Sequence, residues 1–175
     1  MVKNKRETMR NIFILLVGCL LLSCSNEAPK RKKNVEIKIE VPSFNADSAF
    51  KFIADQVAFG PRVPNTPGHI ACANYLIEKL NSYCDTVIVQ EAQLTAFDGN
   101  VLNSKNIIAS FKPLRAKRVM LCAHWDTRPF ADQDTENKNV AIDGANDGGS
   151  GVGVLLEIAR QFSLNKPDIG VDIIL

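Results

Sequence analysis

Histidine is scarce in this chain: of 175 residues only His69 and His124 carry an imidazole. A catalytic metal takes at least three protein ligands, so one histidine with one or two carboxylates does not close a centre, and the remaining ligands are expected beyond Leu175. Cysteine is little more abundant. Cys19 and Cys24 fall in the first two dozen residues, which leaves Cys72, Cys84 and Cys122 with no metal-ligand spacing among them. A cysteine-built metal knot is excluded, while a single Cys72–Cys84 bridge stays open. Charge excess is also missing. Lys3, Lys5, Arg6 and Arg10 supply more than the whole net charge of +2, so the remainder offers no basic footprint for nucleic acid. The longest apolar stretch, Ile12 to Leu22, is about half the roughly 20 residues that a membrane-spanning helix needs.

The opening residues read as an address. A basic start, a short apolar core and Leu21-Leu22-Ser23-Cys24 make a secretory leader, and the last four residues resemble the lipobox of bacterial lipoproteins. That resemblance implies a leader over residues 1–24, with Cys24 lipidated and the protein tethered to a membrane of the bacterial cell envelope. Leu16-Val17-Gly18-Cys19 fits the pattern more loosely, and an ordinary signal peptide is the plain alternative. Residues 25–42 form a charged linker. Its Lys30-Arg31-Lys32-Lys33 cluster beside the anchor suits lipid headgroups better than a binding site.

From residue 43 to 175 the pattern is that of an α/β domain. Phe50, Ile53, Val57 and Ala58 recur at helical spacing, with Asn45 or Asp47 as cap. Thr66-Pro67 opens a second helix with its apolar stripe at Ile70, Ala73, Ile77 and Leu80. His69, in that first turn, reads as a surface or helix-terminal residue. Strand-like runs follow at Thr86 to Phe97, Lys105 to Phe111 and Arg118 to Ala123, with a hairpin turn at Asp98-Gly99-Asn100. Val152, Leu155, Leu156, Ala159 and Phe162 mark a third helix, and Val171 to Leu175 a further strand. Strand, helix, strand in that order predicts a mixed, mainly parallel sheet flanked by helices.

The chemistry gathers at one place. Val119-Met120-Leu121-Cys122-Ala123 reads as a strand buried on both faces, with Cys122 a packed thiol. His124-Trp125-Asp126 follows at its carboxyl end, where open α/β sheets build their crevices. Asp147 then stands in Gly144-Ala145-Asn146-Asp147-Gly148-Gly149-Ser150-Gly151, just before a helix. Imidazole and carboxylate at a sheet mouth suit a divalent cation, zinc above all. Other readings fail on their spacing. The glycines do not fit G-x-G-x-x-G, because Val154 stands where the third is needed. Asp132, Asp134 and Glu136 alternate as in a calcium loop, but Asn137 replaces its glycine. Ser150 lacks the strand that feeds a nucleophile elbow.

Ala123-His124-Trp125-Asp126-Thr127 together with Gly144 to Gly151 resembles the first two metal motifs of the zinc aminopeptidases with one α/β catalytic domain. Gly60-Pro61-Arg62-Val63-Pro64-Asn65-Thr66-Pro67-Gly68-His69 matches their N-terminal region. His-Trp-Asp-Thr-Arg-Pro, with Asp132 in an extended loop, resembles the bacterial glutaminyl-peptide cyclotransferases within that family. The resemblance implies that Asp147 is a zinc ligand in either branch, bridging two ions in an aminopeptidase or binding the single ion of a cyclase. His124 is implied as ligand to the second aminopeptidase ion, a role the single-zinc cyclases leave open. Asp126 is implied as the catalytic-site carboxylate that holds His124 in position. The family's acidic pair and its later Asp and His have no counterpart up to Leu175, so the chain reads as an N-terminal part, inactive by itself. The implied activity of the whole is conversion of an N-terminal glutamine to pyroglutamate with loss of ammonia. Removal of N-terminal residues by a zinc aminopeptidase is the alternative, and a non-catalytic envelope binding module the third. Implied partners are peptides with a free N-terminus and, through Cys24, the membrane.

Overall fold

A computed structural model describes residues 41–175; the leader, Cys24 and most of the linker lie outside them. The described part is one unit. Among these residues no helix is long and apolar enough to cross a membrane.

Helix α1 spans Ala46–Val57, and the Asn45 side chain caps it by accepting from the Ser48 amide at 2.9 Å. Its buried face carries Ala49, Phe52 and Gln56, whereas Phe50 is exposed. The stripe is thus rotated from the expected one, because Phe52 rather than Phe50 reaches the core. Helix α2, Pro67–Tyr83, begins as the sequence predicts, with Thr66 accepting from the His69 amide. Cys72, Ala73, Leu76 and Leu80 face inward and Ile70 outward. Cys72 and Cys84 are both free thiols, pushed up by burial to about 11 and about 12, so both stay protonated at neutral pH.

Strands β1 (Thr86–Thr95) and β2 (Val101–Phe111) form the expected hairpin. Strand β3 is Arg118–Cys122, helix α3 Ser150–Leu164 and strand β4 Gly170–Ile174. The sheet order is β1-β2-β4-β3. It is mixed, as expected, but the balance differs: only β3 and β4 run parallel, and the other two pairs are antiparallel. The reason is connection length. A parallel pair needs a crossover, and within these residues only α3 supplies one.

Helices α2 and α3 cover one face of this sheet. Cys72, Leu76, Leu80, Val152, Leu156 and Ala159 meet Ile107, Ala109, Phe111, Val171 and Ile173 in one core. Fully burying the Val, Leu, Ile and Phe side chains among them stabilises by about 1.5–3 kcal/mol each. On the opposite face Ser110 and Arg118 grip Asp172, and Ile88 and Met120 are exposed. Strand β3 corrects an expectation. It lies at the edge of the described sheet; Leu121 and Ala123 pack on the core, but Val119, Met120 and Cys122 are exposed. Alternation along a strand sends Met120 and Cys122 to the uncovered face, so Cys122 is no packed thiol.

Candidate metal centre

Cys122 ends β3, and His124 emerges just beyond it. Asp147 arrives from the other side, in a one-turn segment Ala145–Gly149 that leads into α3. Asp147 and Gly148 leave helical backbone there, Gly148 with φ +84°. A side chain at Gly148 would start 3.0 Å from both the His124 ring and the His124 carbonyl oxygen. Glycine is therefore what lets the imidazole settle over this turn. Gly144, with φ +58°, is equally constrained, since a Cβ would stand 2.5 Å from Thr127 Cγ2. These two glycines serve close packing of the two motifs, which accounts for the richness that could otherwise suggest a phosphate cradle.

The twenty-odd residues between His124 and Asp147 are closed in space: His124 Nε2 lies 3.0 Å from Asp147 Oδ1. On the other edge of the ring, Nδ1 faces the Asp126 backbone oxygen at 3.2 Å and its carboxylate at 3.4 Å. In the tautomer that carries its proton on Nδ1, both Nδ1 neighbours accept from it. The lone pair of Nε2 then points at a carboxylate oxygen, which is also an acceptor. Two lone pairs at 3.0 Å need a cation between them, either a proton or a metal ion. Ligands of a tetrahedral zinc, with bonds of about 2.0–2.1 Å, stand about 3.3 Å apart. The pair fits that role as far as it goes. His124 and Asp147 are each 55% exposed, and no group of three or more metal-ligating side chains forms among the described residues.

His69 departs from its expected surface place. It is buried, and its ring stacks on Trp125 at 4.2 Å between centroids. Burial lowers its pKa, which favours a neutral ring at neutral pH. Trp125 is buried too and donates from Nε1 to the Lys105 carbonyl at 3.2 Å. The stacked pair forms one wall of a cavity of about 420 Å³, which Leu94 and Leu102 line on the strand side and His124 and Asp126 at the rim.

The residue that sequence reasoning passed over is Arg62. It is fully buried, and its guanidinium donates from Nε to Trp125 O (2.9 Å), from Nη1 to Asp143 O (2.7 Å) and from Nη2 to Gly144 O (3.0 Å). The Arg62 carbonyl in turn accepts from the Thr127 amide at 3.2 Å. Burial pulls its pKa down, but guanidinium stays charged at any ordinary pH. Its only signal in the sequence was its place in Gly60-Pro61-Arg62.

With this geometry in view, residues 106–175 match the model of peptidase family M28. The chain is 56% identical to glutaminyl cyclase of Tannerella forsythia, at a TM-score of 0.75, over 77% of this chain and 47% of that one. Over the residues matched, the chain is similar to this family. A Zn-dependent exopeptidase from Parabacteroides distasonis is also 56% identical, with a TM-score of 0.76 over 78% of this chain and 47% of the other. Glutaminyl cyclase of Bacteroides thetaiotaomicron, bound to N-acetylhistamine, is 54% identical at a TM-score of 0.76, with the same coverage. The chain thus spans about half the length of these structures. No curated protein matches it.

Proposed function

We propose that the whole protein is a glutaminyl-peptide cyclotransferase, which closes an N-terminal glutamine to pyroglutamate and releases ammonia at a zinc site. One observation carries the reading: His124 Nε2 and Asp147 Oδ1 meet 3.0 Å apart at the mouth of β3. That pair of donor atoms suits a divalent cation. Likeness to proteins named glutaminyl cyclase supports the choice of reaction. By the resemblance, Asp147 is a ligand in one-ion and two-ion versions of the centre alike, and the His124 role in the one-ion version stays open. Zinc, when bound, supplies Lewis-acid polarisation of a carbonyl oxygen.

The chain's own residues do the rest of what can be assigned to it. Asp126, through its backbone oxygen and carboxylate, faces Nδ1 and so holds the ring with Nε2 toward Asp147. Trp125 and His69 make a dry wall beside the centre, and the cavity they border is large enough for one amino-acid side chain. The group that moves a proton from the α-amine to departing ammonia has no counterpart assigned among the described residues. Cys24, as a lipidated N-terminus, would hold the enzyme at the cell envelope.

The decisive experiment supplies purified full-length protein with a Gln-peptide and measures ammonia and the cyclised product. Cyclisation that stops on chelation and returns with zinc supports the reading. A second reading, zinc aminopeptidase, is favoured by the equally similar Zn-dependent exopeptidase. Hydrolysis of aminoacyl amides without cyclisation would select it, and neither activity would leave an envelope binding module.

A further inference from the structure

We propose that Arg62, with Gln56 as a second strut, is a buried clamp that sets where His124 and Asp147 stand relative to each other. The inference rests on the metal-centre reading above, and it makes Arg62 a positioning residue, remote from substrate.

Among the described residues, no backbone hydrogen bond joins 124–127 directly to 143–149. The two motif segments are nonetheless held at a separation that brings their functional atoms to 3.0 Å. Arg62 spans that gap. Its Nε holds the Trp125 carbonyl, in the residue between His124 and Asp126, while Nη1 and Nη2 hold Asp143 and Gly144 at the start of the Asp147 segment. Gln56 holds the far end of that segment, donating from Nε2 to Gly149 O at 3.2 Å. Arg62 makes no salt bridge to a carboxylate among the described residues; carbonyl oxygens take its hydrogen bonds, and the Asp143 and Asp126 carboxylates act on its charge only through space. An arginine spent on ion pairing would have an acid beside it. This one is spent on aiming three carbonyls, which needs a planar fork with donors in fixed, divergent directions. Gly144 is part of the same device: a Cβ there would lie 3.0 Å from Nη2 and push the fork off its carbonyls.

Lysine at this position keeps the charge but loses the fork, which makes Arg62→Lys in the full-length protein the informative substitution. Zinc affinity, read by competition with a chromophoric chelator, is expected to fall about 10–100-fold, the range for losing a residue that supports a ligand. Amide hydrogen exchange is expected to quicken in 124–127 and 143–149 while α2 and the sheet keep their protection. Quickening spread evenly over the chain would overturn the clamp, because it would show a merely structural arginine. So would affinity within about twofold of the parent with exchange unchanged. Should Arg62→Lys fail to fold, Gln56→Met tests the other strut. It is expected to weaken zinc by more than about twofold and to loosen 143–149 alone, and no change in either measurement would overturn the proposal. A parent protein that binds zinc but does not cyclise removes the cyclase reading and leaves the clamp standing. If the parent binds no zinc, localised exchange decides for the clamp and uniform exchange against it.

Discussion

Among the described residues two charged side chains are completely buried, and they are held in opposite ways. Glu157, on α3, is met by a counter-charge: Arg160 donates twice to it, at 2.7 and 2.9 Å, and Gln161 and the Asn45 amide complete its shell. Arg62 is met by three carbonyls from two segments of the chain. The first arrangement ties the start of α1 to α3 and serves stability. The second ties together segments that have no ladder of their own and serves the placement of a site. A buried charge is costly in either case, so its use is read from its partners rather than from its burial.

That contrast can be broken most sharply at Asp147. Asp147→Ala in the full-length protein should abolish stoichiometric zinc on dialysis, as read by metal analysis, with little change in melting temperature. Stoichiometric zinc in the variant would remove Asp147 from the centre.

Glu157→Ala should do the reverse, costing about 2–3 kcal/mol in urea unfolding because several donors lose their acceptor, with zinc affinity unmoved. The same residue carries a pH signature. Burial pushes the Glu157 carboxyl up, but hydrogen bonds from Arg160, Gln161 and Asn45 outweigh it and hold it below the usual range. A depressed carboxyl contributes stability in full above its unfolded value, near about 4.3, and loses it as pH falls through the folded value. Stability measured against pH should therefore drop less steeply on the acid side in Glu157→Gln than in the parent.

Asp126→Asn should leave folding intact and weaken zinc about 10–100-fold. An unchanged affinity would mean that the Asp126 backbone oxygen suffices to orient His124. Smallest of all, Asn45→Ala should cost about 1 kcal/mol through the lost α1 cap, seen as a small fall in urea midpoint. A cost of several kcal/mol would instead show that the Asn45 side chain supports the Glu157 shell.

Local signals in the chain were read well where chemistry is local. Thr66-Pro67 started α2, Asp98-Gly99-Asn100 turned the hairpin, and Val152, Leu155, Leu156 and Ala159 proved to be the buried stripe of α3. The α1 stripe was misplaced because its core contact is a single aromatic, Phe52, and the neighbouring Phe50 is just as apolar. Strand β3 was misjudged because an apolar run does not state how many neighbours its strand has. His69 and Arg62 were the costlier misses. A histidine in a first helical turn and an arginine after Gly-Pro both look solvated until the segment that covers them is known.

What the sequence by itself determined is the set of elements, the resemblance to a family, and the pairing of His124 with Asp147 as candidate ligands. Periodicity, caps and motif order are properties of neighbours along the chain. The tertiary structure alone decided that Nε2 and Oδ1 meet at 3.0 Å, that Trp125 lies against His69, and that Arg62 holds two distant loops together. Those facts depend on which segments fold over one another, and a buried donor finds its acceptor among residues far removed in sequence.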